Sequence, residues 1–150
     1  MSLKEWEANG WLRAHKTSRQ EIQNLFAIVR RDLADARATE VSADWRFGIA
    51  YNAALKLCTI LLYAEGYRPM QSLAHYRTLQ ALPLILGKDR KEDADYLVAP
   101  LGSHGAELYI YPNEATIFGA KPHAWFEEWD YPTPSELIQA LAKECASRVA

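Results

Sequence analysis

The chain has 150 residues, with 17 Lys or Arg against 19 Asp or Glu, so its formal charge is −2. That length suits one domain, residues 1–150, with a core of its own. An apolar fraction of 49% beside 24% charged residues excludes a disordered chain, a collagen-like repeat and a supercharged nucleic-acid tail.

In chain order, the first 17 residues place Trp6 and Trp11 in a short leading element. Met1-Ser2-Leu3 reads as an expression remnant as readily as a native start, and no apolar signal-peptide core follows it. Ser18-Arg19-Gln20-Glu21 has the form of a capping box, in which Ser18 accepts from the backbone of Glu21 and Glu21 reaches back. Ile22, Leu25, Phe26, Val29, Leu33 and Ala36 then recur at helical spacing and predict a helix over 18–38. Arg30, Arg31, Asp32 and Asp35 are expected on its solvated face.

Ser42 or Asp44 opens a second helix, with Ala50, Ala53, Ala54, Leu57, Cys58 and Leu61 as its stripe and Gly66 as its stop. Apolar residues also lie off that stripe, so the helix is expected at the centre of the fold. Gly66-Tyr67-Arg68-Pro69 reads as a turn. A third helix runs over about 71–86, kinked or shortened by Pro83 and ended by Gly87. A fourth begins at Asp89-Arg90-Lys91-Glu92 and carries Ala94, Leu97 and Val98.

From Pro100 to Pro132 the helical pattern fails. Leu108–Tyr111 and Thr116–Phe118 are short β-prone runs that predict a small hairpin. Thr133-Pro134-Ser135-Glu136 is the clearest helix start in the chain, with Thr as N-cap, Pro at N1 and Glu at N3. The last helix then buries Leu137, Ile138, Leu141, Cys145 and Val149. The fold class is therefore all-α, a helical bundle with a small irregular or β-hairpin insert near 100–132.

Charge is unevenly spread. Residues 1–91 hold 14 basic and 9 acidic residues, a net of +5, whereas residues 92–150 hold 3 basic and 10 acidic, a net of −7. Cys58 and Cys145 lie on apolar stripes and read as buried free thiols, which fits a reducing, cytoplasmic location. The most apolar stretch, Ile49 to Ala64, is too short to span a bilayer and contains Asn52 and Lys56, so no membrane partner is expected.

Three segments carry a family resemblance. They are Trp45-Arg46-Phe47-Gly48-Ile49-Ala50-Tyr51-Asn52-Ala53-Ala54-Leu55-Lys56-Leu57, then Leu61-Leu62-Tyr63-Ala64-Glu65-Gly66-Tyr67-Arg68-Pro69, then His75-Tyr76. Together they resemble the HEPN family, whose name abbreviates higher eukaryote and prokaryote nucleotide-binding. The similarity covers roughly residues 18–100 and the final helix. It implies an up-and-down bundle of four or five helices, usually a homodimer. Many members of that family are metal-independent RNA nucleases of toxin–antitoxin and defence systems. Others are non-catalytic partners of small nucleotidyltransferases, or binding modules.

The nuclease members carry an Arg followed a few residues later by His, late in the bundle. This chain departs from that pattern, because no Arg or Lys lies between Lys91 and Lys121. Only His104 remains as a candidate acid or base, and a proton shuttle without its cation loses much transition-state stabilisation. The reading favoured is therefore a non-catalytic, homodimeric binding or regulatory protein linked to a nucleotide, RNA or a nucleotidyltransferase partner. The runner-up is an endoribonuclease using His104 as general base, and a third reading is a protein-interaction module with no nucleotide site.

Arg68, His75 and Tyr76 are the candidate nucleotide- or phosphate-binding residues. The plainer alternative has His75 bridging the second and third helices, and Arg68 in solvent or paired with Glu65. Arg13, Lys16, Arg19, Arg30, Arg31 and Arg37 form a basic stripe or simply a solvated face. Trp125, Phe126 and Trp129 sit among acids and suit packing against the bundle or a second copy better than base stacking. His104 and His123 with Glu107 or Glu127 lack metal-ligand spacing, so neither a metal nor a cofactor is expected.

Overall fold

A computed structural model of the chain describes residues 1–98 and 134–149. The expected hairpin, His104, and the aromatic group Trp125, Phe126 and Trp129 lie outside the described residues. The chain is mostly helical with a small two-stranded antiparallel sheet.

A short first helix, α1 (Leu3–Ala8), begins with a complete capping box. The Glu5 backbone N–H donates to Ser2 Oγ at 3.2 Å, and the Ser2 N–H donates to Glu5 Oε2 at 2.6 Å. Strand β1 (Leu12–Ala14) follows, then α2 (Arg19–Ala36), α3 (Ala43–Ala64) and strand β2 (Tyr67–Pro69). The third expected helix is two, α4 (Ala74–Gln80) and α5 (Leu82–Leu86), because Pro83 has no N–H to continue the ladder and takes a first-turn position in α5. A 3₁₀ turn at Lys88–Arg90 leads into α6 (Lys91–Val98), and the chain ends in α7 (Pro134–Val149).

Two features of α2 differ from the sequence expectation. Ser18 Oγ does accept from the Glu21 N–H at 3.1 Å. The Glu21 carboxylate does not reach back, however; it is held by Thr17 Oγ1 at 3.1 Å and His15 Nε2 at 3.0 Å. Asp32 is not on the solvated face. It is 5% exposed and accepts from Asn52 Nδ2 at 2.7 Å and Arg31 Nη2 at 2.9 Å. Asp32 lies one turn past the buried Val29, on the stripe that faces α3.

The α2–α3 pair runs antiparallel. Residue 46 bonds to residue 36 through Arg46 Nε and the Ala36 carbonyl at 2.8 Å, while residue 52 bonds to residue 32. As expected, α3 is the central helix. Leu57, Ile60, Leu61 and Leu62 are fully buried, each contributing about 1.5–3 kcal/mol relative to an exposed position. Residues 57, 60 and 61 join a main core with Ile22, Val29, Leu79, Leu82, Leu97, Leu141 and Cys145. Leu62 faces away from it, into a second cluster with Trp6, Leu12 and Ala81. One helix thus serves two cores, which is why its apolar residues exceed a single stripe.

The other helices dock on α3 through its length. Tyr51 donates its hydroxyl to the Leu97 carbonyl, one of the last-turn acceptors that α6 cannot satisfy itself. Cys145 Sγ lies 3.3 Å from the Leu57 carbonyl, and Arg148 reaches Glu65 at 3.3 Å and the Ile85 carbonyl at 3.1 Å. The C-terminal ends of α7 and α3 therefore lie side by side.

Candidate functional site

Gly66 ends α3 with φ of 90°, a conformation that side chains with a Cβ rarely adopt, and it sends the chain straight into β2. Residues 67–69 are thus a strand and not only the expected turn. β2 pairs antiparallel with β1 in the register Leu12 to Pro69, Arg13 to Arg68 and Ala14 to Tyr67. Two further bonds extend the ribbon: Met70 N–H to the Trp11 carbonyl at 3.0 Å, and His15 N–H to the Gly66 carbonyl at 2.8 Å.

Alternation along the strands separates two faces. Leu12, with Ala14, Tyr67 and Pro69, belongs to the inner face, and Leu12 is 2% exposed in the small core. Arg13 and Arg68 share the outer face, with Trp11 and Met70 in the row before them and His15 and Gly66 in the row after; the Trp11 ring itself packs against the small core, and the His15 ring lies against Tyr63. Arg13 and Arg68 stand directly opposite each other on that face. Opposed like charges weaken a ribbon unless something neutralises them.

A third cation, Arg77 on α4, is seated on the aromatic cluster. Arg77 Cζ lies 3.8 Å from the Trp11 ring centroid, and 5.8 Å from those of Trp6 and Tyr76. Trp6 meets Trp11 edge to face, with centroids 5.7 Å apart at 73°. Among the described residues no carboxylate forms an ion pair with Arg13, Arg68 or Arg77. Glu65, the partner expected for Arg68, is taken by Arg148.

Two buried donors at this corner lack acceptors: Arg68 Nε and Trp6 Nε1. Buried N–H groups are nearly always paired, and an orphan costs roughly 1–3 kcal/mol. An oxyanion seated on the ribbon would supply the charge that the Arg13–Arg68 pair lacks.

His15 bounds the face at one end. Its ring stacks on Tyr63 at 4.5 Å between centroids, and its Nε2 sits 3.0 Å from both Glu21 oxygens. Of the residues singled out from sequence, Arg68 lies on the outer face, whereas Tyr76 packs against the main core with its ring 5.8 Å from Arg77 Cζ. His75 is half-buried in the first turn of α4 and has a partner of its own. Arg19, Arg30 and Arg37 are exposed along one side of α2, and Arg13 alone of the basic stripe joins the ribbon face. Sequence reasoning did not assign Trp11 and Arg77 to the site. Among the described residues no group of three or more His, Cys, Asp or Glu is placed to hold a metal ion.

No protein-family model matches the chain, and neither the curated proteins nor the solved structures compared with it yield a match.

Proposed function

We propose that this chain is a non-catalytic binding protein that holds a phosphate-bearing nucleotide on the outer face of its β1–β2 ribbon. The observation that carries the reading is the Arg13–Arg68 pair, unneutralised by any described carboxylate, with Arg68 Nε buried and unpartnered. Guanidinium forks match phosphate oxygens in geometry and charge. A pair of opposed cations suits retention of an anion.

A HEPN-like bundle is the architecture proposed around this site. Its support is the antiparallel α2–α3 pair, the small-residue stripe of α3 at the centre, and a final helix beside α3. A homodimer is proposed with it, because Trp45 stands 46% exposed on α3 and a second copy would cover it. A nucleotidyltransferase in the cytoplasm is the partner protein this reading favours, in a toxin–antitoxin or defence setting.

The test is a calorimetric titration of the purified chain with adenosine 5′-triphosphate, beside an Arg68→Gln variant. Binding that weakens at least tenfold in the variant supports the site. Equal binding by both proteins moves the nucleotide elsewhere and overturns it.

A further inference from the structure

Resting on that reading, we infer that the ribbon face selects a terminal phosphate monoester over an internal phosphodiester. Its ligand class is a nucleoside monophosphate, or a chain end bearing one. The phosphate sits on the Arg13–Arg68 row and the base lies against Met70, on the row before it.

The charge count points this way first. Two arginines, Arg13 on β1 and Arg68 on β2, stand directly opposite each other, and no described carboxylate offsets them. A monoester carries about −1.5 to −2 at pH 7 and presents three acceptor oxygens. A diester carries a single charge and two free oxygens. Coulomb attraction scales with that charge, so a doubly cationic row discriminates between them.

The geometry of the rows points the same way. Arg13 and Arg68 are direct cross-strand partners, so their Cβ atoms stand about 5.5 Å apart and both forks serve one anion. The row before them is Trp11 with Met70, the latter 40% exposed. Rows two residues apart are about 6.8 Å apart along a strand, a span a ribose can bridge. The row after them is His15 with Gly66, and there the Glu21 carboxylate holds the imidazole at 3.0 Å. A strand continuing past the phosphate would bring its next negative charge against Glu21. The seat is open on the base side and closed by a carboxylate on the other, which suits a chain terminus.

The test compares adenosine 5′-monophosphate, adenosine 3′,5′-cyclic monophosphate and adenosine by calorimetry with the full chain. Base and sugar are shared, and only the phosphate changes from monoester to diester to none. The expected order is monophosphate at least tenfold tighter than cyclic monophosphate, with adenosine weakest. Monophosphate affinity should also fall as pH drops below about 6, where the ester takes up its second proton; cyclic monophosphate affinity should not follow it. Equal affinity for the two phosphates overturns the monoester inference and leaves nucleotide binding standing. No binding of any of the three overturns both. Because Arg68→Gln removes a half-buried side chain of the ribbon, the pH profile of the unaltered chain is the arm that needs no variant.

Discussion

Asn52 on α3 donates to Asp32 on α2 at 2.7 Å, and so ties the two longest described helices together through a carboxylate that is 5% exposed. That carboxylate also pairs with Arg31, which is itself largely in solvent and contributes little by its charge alone. Replacing Asn52 with Ala leaves the buried Asp32 oxygen without its neutral donor. The expected loss is roughly 1–3 kcal/mol of stability, read as a lower urea midpoint at unchanged slope. A shift below about 0.5 kcal/mol, the range of ordinary surface substitutions, would show that water replaces Asn52 there.

Arg13 should show opposite signs in stability and in binding. Opposed to Arg68 across the ribbon, its charge works against the pairing of the two strands. Arg13→Gln is expected to leave the ligand-free chain as stable as before, or more stable by a few tenths of a kcal/mol, and to weaken phosphate binding. A site that trades stability for function behaves in this way. The check is a pair of thermal melts with and without adenosine 5′-monophosphate. A variant destabilised by more than about 1 kcal/mol without ligand would mean that Arg13 holds the ribbon together instead of working against it.

These residues also show what the sequence carried. The stripes of α2, α3 and α7 have long periods and clear stops, so their spans were legible to within a residue or two. The role of Asp32 was not, because a charged residue on an apolar stripe reads as surface until its partner, here 20 residues on, is known. The ribbon was missed for a related reason. Three-residue strands have too little alternation to stand out, and Tyr67-Arg68-Pro69 carries the turn signals of Gly66 before it. Arg68 was legible as a candidate, but its opposition to Arg13 depends on a pairing more than 50 residues apart in sequence. Trp11 and Arg77 meet only once α1, β1 and α4 close over Leu62.

Gly66 tests that closure. Its φ of 90° lies beyond even the left-handed helical region, and no heavy atom lies within 4 Å of where a Cβ would stand. The cost of Gly66→Ala is therefore backbone strain and not collision, on the order of 1–2 kcal/mol. Relieving the strain would shift Tyr67 and Arg68 against β1. Phosphate binding is expected to weaken more than global stability does. Equal binding in the variant would show that the ribbon tolerates a changed approach from α3.

The two thiols give a pH prediction. Burial pushes the Cys145 thiol up to about 12, with the neighbouring Glu144 charge adding to the rise and Arg148 opposing it. Burial also raises Cys58 and the Tyr51 hydroxyl, and both lie in the main core. The folded chain thus keeps protons that the unfolded chain releases from about pH 9 for a thiol. Stability from these groups is fully present below pH 9. It is lost as pH climbs toward 12, by up to about 1.4 kcal/mol per group for each pH unit. Urea midpoints should hold steady from pH 7 to 9 as far as these groups are concerned, and fall between pH 9.5 and 11. The same burial protects the sulfurs, since the thiolate is the reactive form. Iodoacetamide at pH 8 should label neither cysteine in the folded chain, and both in urea. Rapid labelling of Cys145 under native conditions would mean that α7 detaches from Leu57 far more often than the intact core, and with it the alkaline profile, would allow.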